Sequence, residues 1–333
     1  MRASYRPWGD EELARLKALY AEGRSNAAIA QALGRVVNSV ENKIADLRDT
    51  LPRRTAEEVA AIHGWTDRSQ DEQFFDEPKV EAERQAVARE FQGRAVDALI
   101  LSDIHGMFRH DKVLAAADRA IDAHQLNTLV VVGDVLDQHA ASRFVKYKHL
   151  DLKDEVVEMA QVIRHFAKRV PRVVIVQGNH DMRAARLIAQ QTPQLAEVLK
   201  EATNFLSQVA NGLTNVTPME SWWVKIGDVV FCHREKYTKQ ERSTGESNLR
   251  YFENRGVQDI GLVVQAHVHR TCYLPLRRGV FYLENPMGCY RPDYTYESRS
   301  LDAILMAGYS IVHIGKDGKF DPNRTRFFFT SWE

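Results

Sequence analysis

The chain has 333 residues, enough for one large domain or two smaller ones with apolar cores of their own. Lys plus Arg and Asp plus Glu are equal at 45 each, so no net field draws the whole molecule to nucleic acid or a membrane; such affinity has to come from a local patch. Three cysteines without paired spacing, Cys232, Cys272 and Cys289, argue against a disulfide framework, and no apolar run reaches bilayer-crossing length. The opening MRASYRPWGDEE turns acidic at once and has no apolar signal-peptide core, so the expected compartment is the cytoplasm.

Residues 1–51 read as three short helices. In GDEELARLKALYAEG, Leu13, Leu16, Leu19 and Tyr20 recur at helical spacing, and Asp10, Glu11 and Glu12 sit where the macrodipole favours acids. NAAIAQAL follows and is closed by Gly34; NSVENKIADL then sets Val37, Val40, Ile44 and Leu47 on one face, with Asn38 as its expected cap. This is a helix-turn-helix pattern. Residues 52–92 are charged and read as a partly helical linker. From residue 93 to 333, Val/Ile-rich strands alternate with amphipathic helices, an α/β pattern.

Five buried-looking strands end in metal-ligand residue types. AVDALILSD leads to Asp103 and His105, TLVVVGD to Asp134, and RVVIVQGNHD to Asn179, His180 and Asp181. DVVFCH ends at His233, and LVVQAHVH at His267 and His269. Carboxylates at the exits of apolar strands are costly unless a cation or proton partner meets them. Mixed carboxylate and imidazole donors suit manganese, iron or zinc better than an all-oxygen cage does, and the lack of any CxxC pair argues against a structural zinc site. One His at a strand end is usually a structural hydrogen-bonding group; a set of five such endings is not.

The ordered set DIH, GDVLD, GNHD, CH and AHVH, over residues 95–270, resembles the five motifs of the calcineurin-like metallophosphoesterases. The final motif usually reads Gly-His-Thr-His, and Ala266-His267-Val268-His269 keeps both imidazoles. The resemblance implies a four-layer αββα sandwich, two β-sheets flanked by helices, beside the small N-terminal helical domain. It implies two divalent metal ions, manganese first, with iron, zinc or magnesium as alternatives. One ion would be held by Asp103, His105 and His269, the other by Asn179, His233 and His267, with Asp134 bridging. It further implies that Asp137 pairs with His180, the candidate general acid. Such a pair of ions, about 3.5–4 Å apart, activates water and clamps a phosphoryl group. Asp181 is expected to support a ligand His.

The substrate is less legible. Phosphoprotein phosphatases of this superfamily usually carry Arg-Gly after the second acid of GDxxD, and Gln138-His139 stands there instead. Arg143, Arg183 and Arg234 are the candidate phosphate contacts. The N-terminal pattern resembles Myb-like and GcrA-like helix-turn-helix modules, and its union with this domain resembles phosphoesterases of phages and prophages. Arg35, Asn38, Asn42, Lys43 and Arg48 are the candidate DNA contacts, although Glu41 and Asp46 repel phosphate. The expectation is a phosphodiesterase or nuclease acting on nucleic acid, DNA first. The alternatives are a phosphomonoesterase on nucleotides or phosphoproteins, and a non-catalytic DNA-binding or adaptor protein.

Overall fold

The computed structural model describes residues 8–22, 24, 26–47, 51, 77–142, 151–238, 240–290 and 306–330. Contacts divide the chain into two units, residues 1–75 and 76–333. In the first, α1 (Asp10–Ala21), α2 (Asn26–Leu33) and α3 (Val37–Asp46) bury Leu16, Ile29, Ala30, Leu33 and Val40 against one another. Gly34 turns the chain from α2 towards α3 at φ +62°, a region any side chain would disfavour. The amides of Ser39 and Val40 both bond the Val36 carbonyl, so Asn38, expected as the cap, lies inside the first turn of α3.

Two of the candidate DNA contacts in this unit are already engaged. Arg35 donates to both carboxylate oxygens of Glu12, at 2.7 and 2.8 Å, and its guanidinium lies 3.9 Å over the Trp8 ring. Its side chain is only 6% exposed, which makes it a strut of the helical unit rather than a surface cation. Lys43 pairs with Asp46 at 3.0 Å. The side chains of Asn38 and Asn42, and the whole of Arg48, lie outside the described residues.

The second unit is a sandwich of two mixed sheets. One sheet runs β11-β10-β1-β2-β3-β4, with β1 (Val96–Leu101), β2 (Thr128–Val132), β3 (Arg172–Val176) and β4 (Val216–Pro218) parallel. Its far side is β10 (Gly308–Ile314) and β11 (Arg326–Phe329), each antiparallel to its neighbour. The other runs β5-β6-β7-β9-β8, where β6 (Val229–Cys232), β7 (Leu262–Gln265) and β9 (Phe281–Glu284) are parallel. Its edges, β5 (Trp223–Ile226) and β8 (Cys272–Pro275), are antiparallel.

Side-chain parity along the strands builds the layers. Leu99, Leu101, Leu129, Val131, Val173 and Ile175 face α5 (Asp111–His124), α6 (Leu152–Ala167) and α9 (Phe205–Val209). Their neighbours Ala98, Ile100, Val130, Val132, Val174 and Val176 meet Val224, Phe231, Val264 and Leu283 between the sheets. Val230, Val263 and Tyr282 on the outer side of the second sheet pack on Leu249 and Phe252 of α10 (Glu241–Asn254). Because β1, β2 and β3 are covered on both faces, they read as unbroken apolar runs. Trp223, within this outer layer, and the partly buried Trp222 both pack against Phe252.

Within residues 52–92, helix α4 (Glu77–Glu90) belongs to the sandwich. Val87 and Phe91 enter the core between the sheets, and Arg84 lies 4.3 Å over Trp223 while donating to Ser221 Oγ. Glu83 accepts the Glu220 amide at 3.0 Å, and burial pushes its carboxyl up to about 7. A folded-state value above the unfolded one means the native protein holds the extra proton between about pH 4.5 and 7. Stability is therefore lost as pH rises through that window. Glu83→Gln should melt higher than the parent at pH 8, with the gap closing by pH 4.5; a gap independent of pH in thermal scans would show that Glu83 does not titrate with folding.

Candidate metal centre

The carboxyl ends of β1, β2, β3, β6 and β7 meet at one rim of the sandwich. The loops after β1 and β2 continue the strand pairing: the amides of Asp103, His105 and Gly106 bond the carbonyls of Gly133, Asp134 and Val135 at 2.9–3.1 Å. They do so in a strained conformation. Among the described residues nine non-glycine positions have positive φ, and Asp103, His105, Asp134, His267 and His269 are five of them. Left-handed residues with a Cβ persist only where their surroundings over-determine them, and here each aims a donor into one space.

Two donor groups share Asp134. In one, His105 Nε2 and His269 Nε2 face each other at 3.2 Å, with Asp103 Oδ1 3.3 Å from His269 Nε2 and Asp134 Oδ2 3.8 Å from His105 Nε2. In the other, Asn179 Oδ1 lies 3.1 Å from His233 Nε2 and 2.9 Å from His267 Nδ1, while Asp134 Oδ2 is 3.1 Å from His233 Nε2. The sets Asp103–His105–Asp134 and Asp134–His233–His267 each gather their donor atoms within 4.8 Å.

The hydrogen bonds show what this space requires. His233 Nδ1 donates to the Val132 carbonyl at 2.9 Å, which leaves Nε2 of a neutral ring as a lone pair facing the oxygens of Asp134 and Asn179. His105 likewise donates Nδ1–H to Asp137 Oδ1 at 3.1 Å, leaving its Nε2 lone pair aimed at His269. Acceptors converging on acceptors need a positive charge between them. A proton is one such charge: burial pulls His233 down, yet Asp134 outweighs it and holds the ring up at about 9. Burial would raise Asp103, but His269 brings it to about 2; Asp134 is likewise held well below its ordinary value by His233. Burial and the neighbouring His233 charge push His267 down to about 4. Divalent cations fit this donor set, in which His105 and His233, two of the four imidazoles, arrive already oriented by partners at Nδ1.

Asp137 serves two rings. Its Oδ1 accepts from His180 Nδ1 at 2.7 Å as well as from His105, and the bonds from His105, His139 and His180 hold it far below its usual range despite burial. His180 Nε2 accepts from Arg183 Nη2 at 2.9 Å, and Arg183 Nη1 also donates to the Asp137 carbonyl at 2.8 Å. Of the other candidate phosphate contacts, Arg234 is turned away, bonded to Asn248 Oδ1 at 2.9 Å and lying 4.2 Å over Tyr251; Arg143 is outside the described residues. Asp181 accepts the amides of Leu136 and Gly178, at 2.9 and 2.8 Å, and so ties two loops together rather than supporting an imidazole. Burial and the Asp134 charge push it up to about 8.

Four residues that the sequence reading does not place at the site stand beside this centre. Glu155 of α6 accepts the amides of Asp137 and Gln138, and burial pushes it up to about 7. A signal existed: Glu155 lies on the stripe of Leu152, Met159 and Ile163, an acid where the helix expects an apolar residue. Gln138 is fully buried, donating to the Asp181 carbonyl and accepting the Ala184 amide at 2.8 Å. His139 places Nδ1 3.5 Å from Asp137 Oδ2. Cys289 lies among His105 and His269.

The family model of the calcineurin-like phosphoesterases matches residues 97–271, and the chain belongs to that family. Its members are phosphoric ester hydrolases that use divalent metals, as the clustered His and Asp donors suit. Among solved structures it is similar to an archaeal phosphodiesterase (14% identity, 71% of this chain and 100% of that one, TM-score 0.37). It is also similar to a metallophosphoesterase from Sphaerobacter thermophilus (15% identity, 72% and 90%, TM-score 0.36). A third is a hypothetical protein from Pyrococcus horikoshii (11% identity, 72% and 89%, TM-score 0.41). No curated protein matches the chain. No described helix is long and apolar enough to cross a membrane.

Manganese at about 100 times its dissociation constant should stabilise the fold by about 2.7 kcal/mol per site, a melting rise of roughly 5–10 °C. A Cβ on Gly178 would lie 2.1 Å from Asp134 Oδ1, so Gly178→Ala should abolish the rise. An equal rise in that variant, read by calorimetry, would remove Asp134 from the ion-binding set.

Proposed function

We propose that this protein is a binuclear metal-dependent phosphodiesterase acting on nucleic acid, DNA first, with its N-terminal helices as the module that brings it to the polymer. What supports the reading is the pair of donor groups meeting at Asp134, built from left-handed residues of separate loops. Asp103, His105 and His269 would hold one ion and Asn179, His233 and His267 the other, with Asp134 as the donor available to both. Manganese is the expected metal at the second. When bound, the two cations supply Lewis acidity to the phosphoryl oxygens and acidify water towards neutral pH.

The chain's own groups do the rest. Asp137 fixes the His180 ring through Nδ1, so that Nε2 faces the reacting centre. In the structure Nε2 holds a lone pair facing Arg183, and burial pulls the ring down to about 4. His180 therefore serves as general acid only after taking a proton from solvent at Nε2. With Arg183 turned to the phosphoryl group, that Nε2–H passes to the leaving oxygen as its bond to phosphorus breaks. Arg183, now 2.9 Å from His180 Nε2, turns its guanidinium to a non-bridging phosphoryl oxygen and replaces a phosphate contact from the loop after Asp137. Gln138 in the position where phosphoprotein phosphatases carry Arg disfavours a phosphoprotein substrate.

The manganese-loaded protein should hydrolyse bis-p-nitrophenyl phosphate faster than p-nitrophenyl phosphate and should cut labelled DNA. Arg183→Ala should lose about 100- to 1000-fold in kcat/KM on the diester, the scale of removing one positioned donor. Preference for the monoester with DNA intact would overturn the diesterase reading. Inactivity on every substrate with both ions bound would leave an adaptor.

A further inference from the structure

We propose that Cys289 is a thiolate ligand of the ion held by Asp103, His105 and His269, giving that half of the centre one soft donor and a preference for zinc-like cations over magnesium or manganese. The proposal rests on the binuclear reading above and adds to it a residue that the five strand-end motifs do not contain.

The observation is a three-donor cluster. A ligand atom each of His105, His269 and Cys289 lies within 4.8 Å of the others, and all three residues are buried. The thiol is 0% exposed and donates to Met287 Sδ at 3.6 Å, a weak bond that a cation would replace. Zinc–sulfur and zinc–nitrogen bonds of about 2.3 and 2.0 Å set sulfur and nitrogen on one ion roughly 3–3.5 Å apart, with four donors or five. Closing the cluster on an ion therefore takes about one to two ångströms, the scale of a side-chain adjustment.

The backbone on both sides of Cys289 is fastened to the segment that carries the other donors. Gly288 donates to the Ser102 carbonyl at 2.7 Å, next to Asp103, and its own carbonyl accepts the His110 amide at 2.8 Å. Tyr290 donates to the Phe108 carbonyl at 2.6 Å, and Cys289 forms an antiparallel bridge with Arg109. A Cβ at position 288 would lie 2.9 Å from the Ser102 carbonyl oxygen, so glycine permits the approach. The other cysteines are placed otherwise. Cys232 donates its thiol to the Val264 carbonyl and Gln265 Oε1, at 3.4 and 3.2 Å, and burial raises Cys272 to about 12.

On binding, the Cys289 thiol releases its proton to solvent and the sulfur donates an electron pair to the cation. Thiolate is a soft ligand that favours zinc, and magnesium prefers an all-oxygen shell. Cys289 thus sets which ion the first site selects, while leaving Asn179, His233 and His267 to the second.

Cobalt(II) in place of the native ions tests this without reference to turnover. The full-length protein titrated with cobalt should show a thiolate-to-cobalt charge-transfer band in the near ultraviolet. Cys289→Ser should lose the band while still binding cobalt, and Cys232→Ser should keep it. Zinc affinity in Cys289→Ser should fall about 10- to 100-fold, with manganese affinity nearly unchanged. Should that variant fold poorly, X-ray absorption at the zinc edge of the parent protein decides the matter: sulfur at about 2.3 Å supports the ligand, and a shell of nitrogen and oxygen alone overturns it. Cobalt bound without the charge-transfer band removes Cys289 but leaves the binuclear reading; no uptake of cobalt overturns both.

Discussion

The charge on one buried carboxylate governs the architecture. Asp134 is 1% exposed, yet its Oδ2 faces imidazole nitrogens at the ends of three other chain segments and its Oδ1 accepts the His180 amide at 2.8 Å. Moving an unpaired carboxylate this far from water costs several kcal/mol. The cost is recovered only by a positive charge between Asp134 and those rings, so the loops are built to hold lone pairs around a cation. Each left-handed residue adds strain on the order of 1–3 kcal/mol, and five of them together rival the stability of an ordinary domain. Only a rigid frame on both sides keeps such a rim in place.

The sandwich supplies that frame. The core between the sheets is entirely apolar and ends just below the donors, where Val132, Val176 and Ala266 give way to Asp134, Asn179 and His267. Each sheet therefore contributes donors to both halves of the centre from strands that cannot shift without opening the core. The last loop is fixed from behind as well. Arg270, next to His269, donates to both oxygens of Glu284, at 3.1 and 2.8 Å, and to the Thr238 carbonyl at 3.0 Å. A buried pair of this kind adds little net stability, but losing one partner leaves the other charge stranded. It works here as a register pin for the loop of His267 and His269.

The metal-donor types were legible because they are local: a doubly covered parallel strand prints a run of Val and Ile, and the residues just beyond it are the donors. That logic found β1, β2, β3, β6 and β7. It missed β4, β5 and β8 to β11, which complete the two sheets. β10 carries Ser310 and His313 within a fully buried strand, and RFFF of β11 follows a turn of charged and polar residues, so neither shows a clean period. Long-range contacts were equally illegible. Nothing near Arg35 announces that Glu12, 23 residues away, has claimed its guanidinium, and Cys289 reaches the centre only because Gly288 lies against Ser102, distant in sequence. Helix α4 reads as a charged linker because its two buried apolar residues, Val80 and Val87, are few among polar ones.

The loop after Asp134 shows how one substitution relocates a function. Position 138 is where the sequence pattern of phosphoprotein phosphatases carries Arg. Gln138 instead adopts φ 48° and turns inward, and both ends of its amide are consumed by the Asp181 carbonyl and the Ala184 amide. That amide fastens the loop to the start of α7 (Arg183–Gln191), and the first residue of α7 is the arginine that meets His180. The cation beside His180 thus comes from a helix start anchored to the loop of Gln138, not from the flank of Asp134, and it is fixed there by the same amide that turns Gln138 inward.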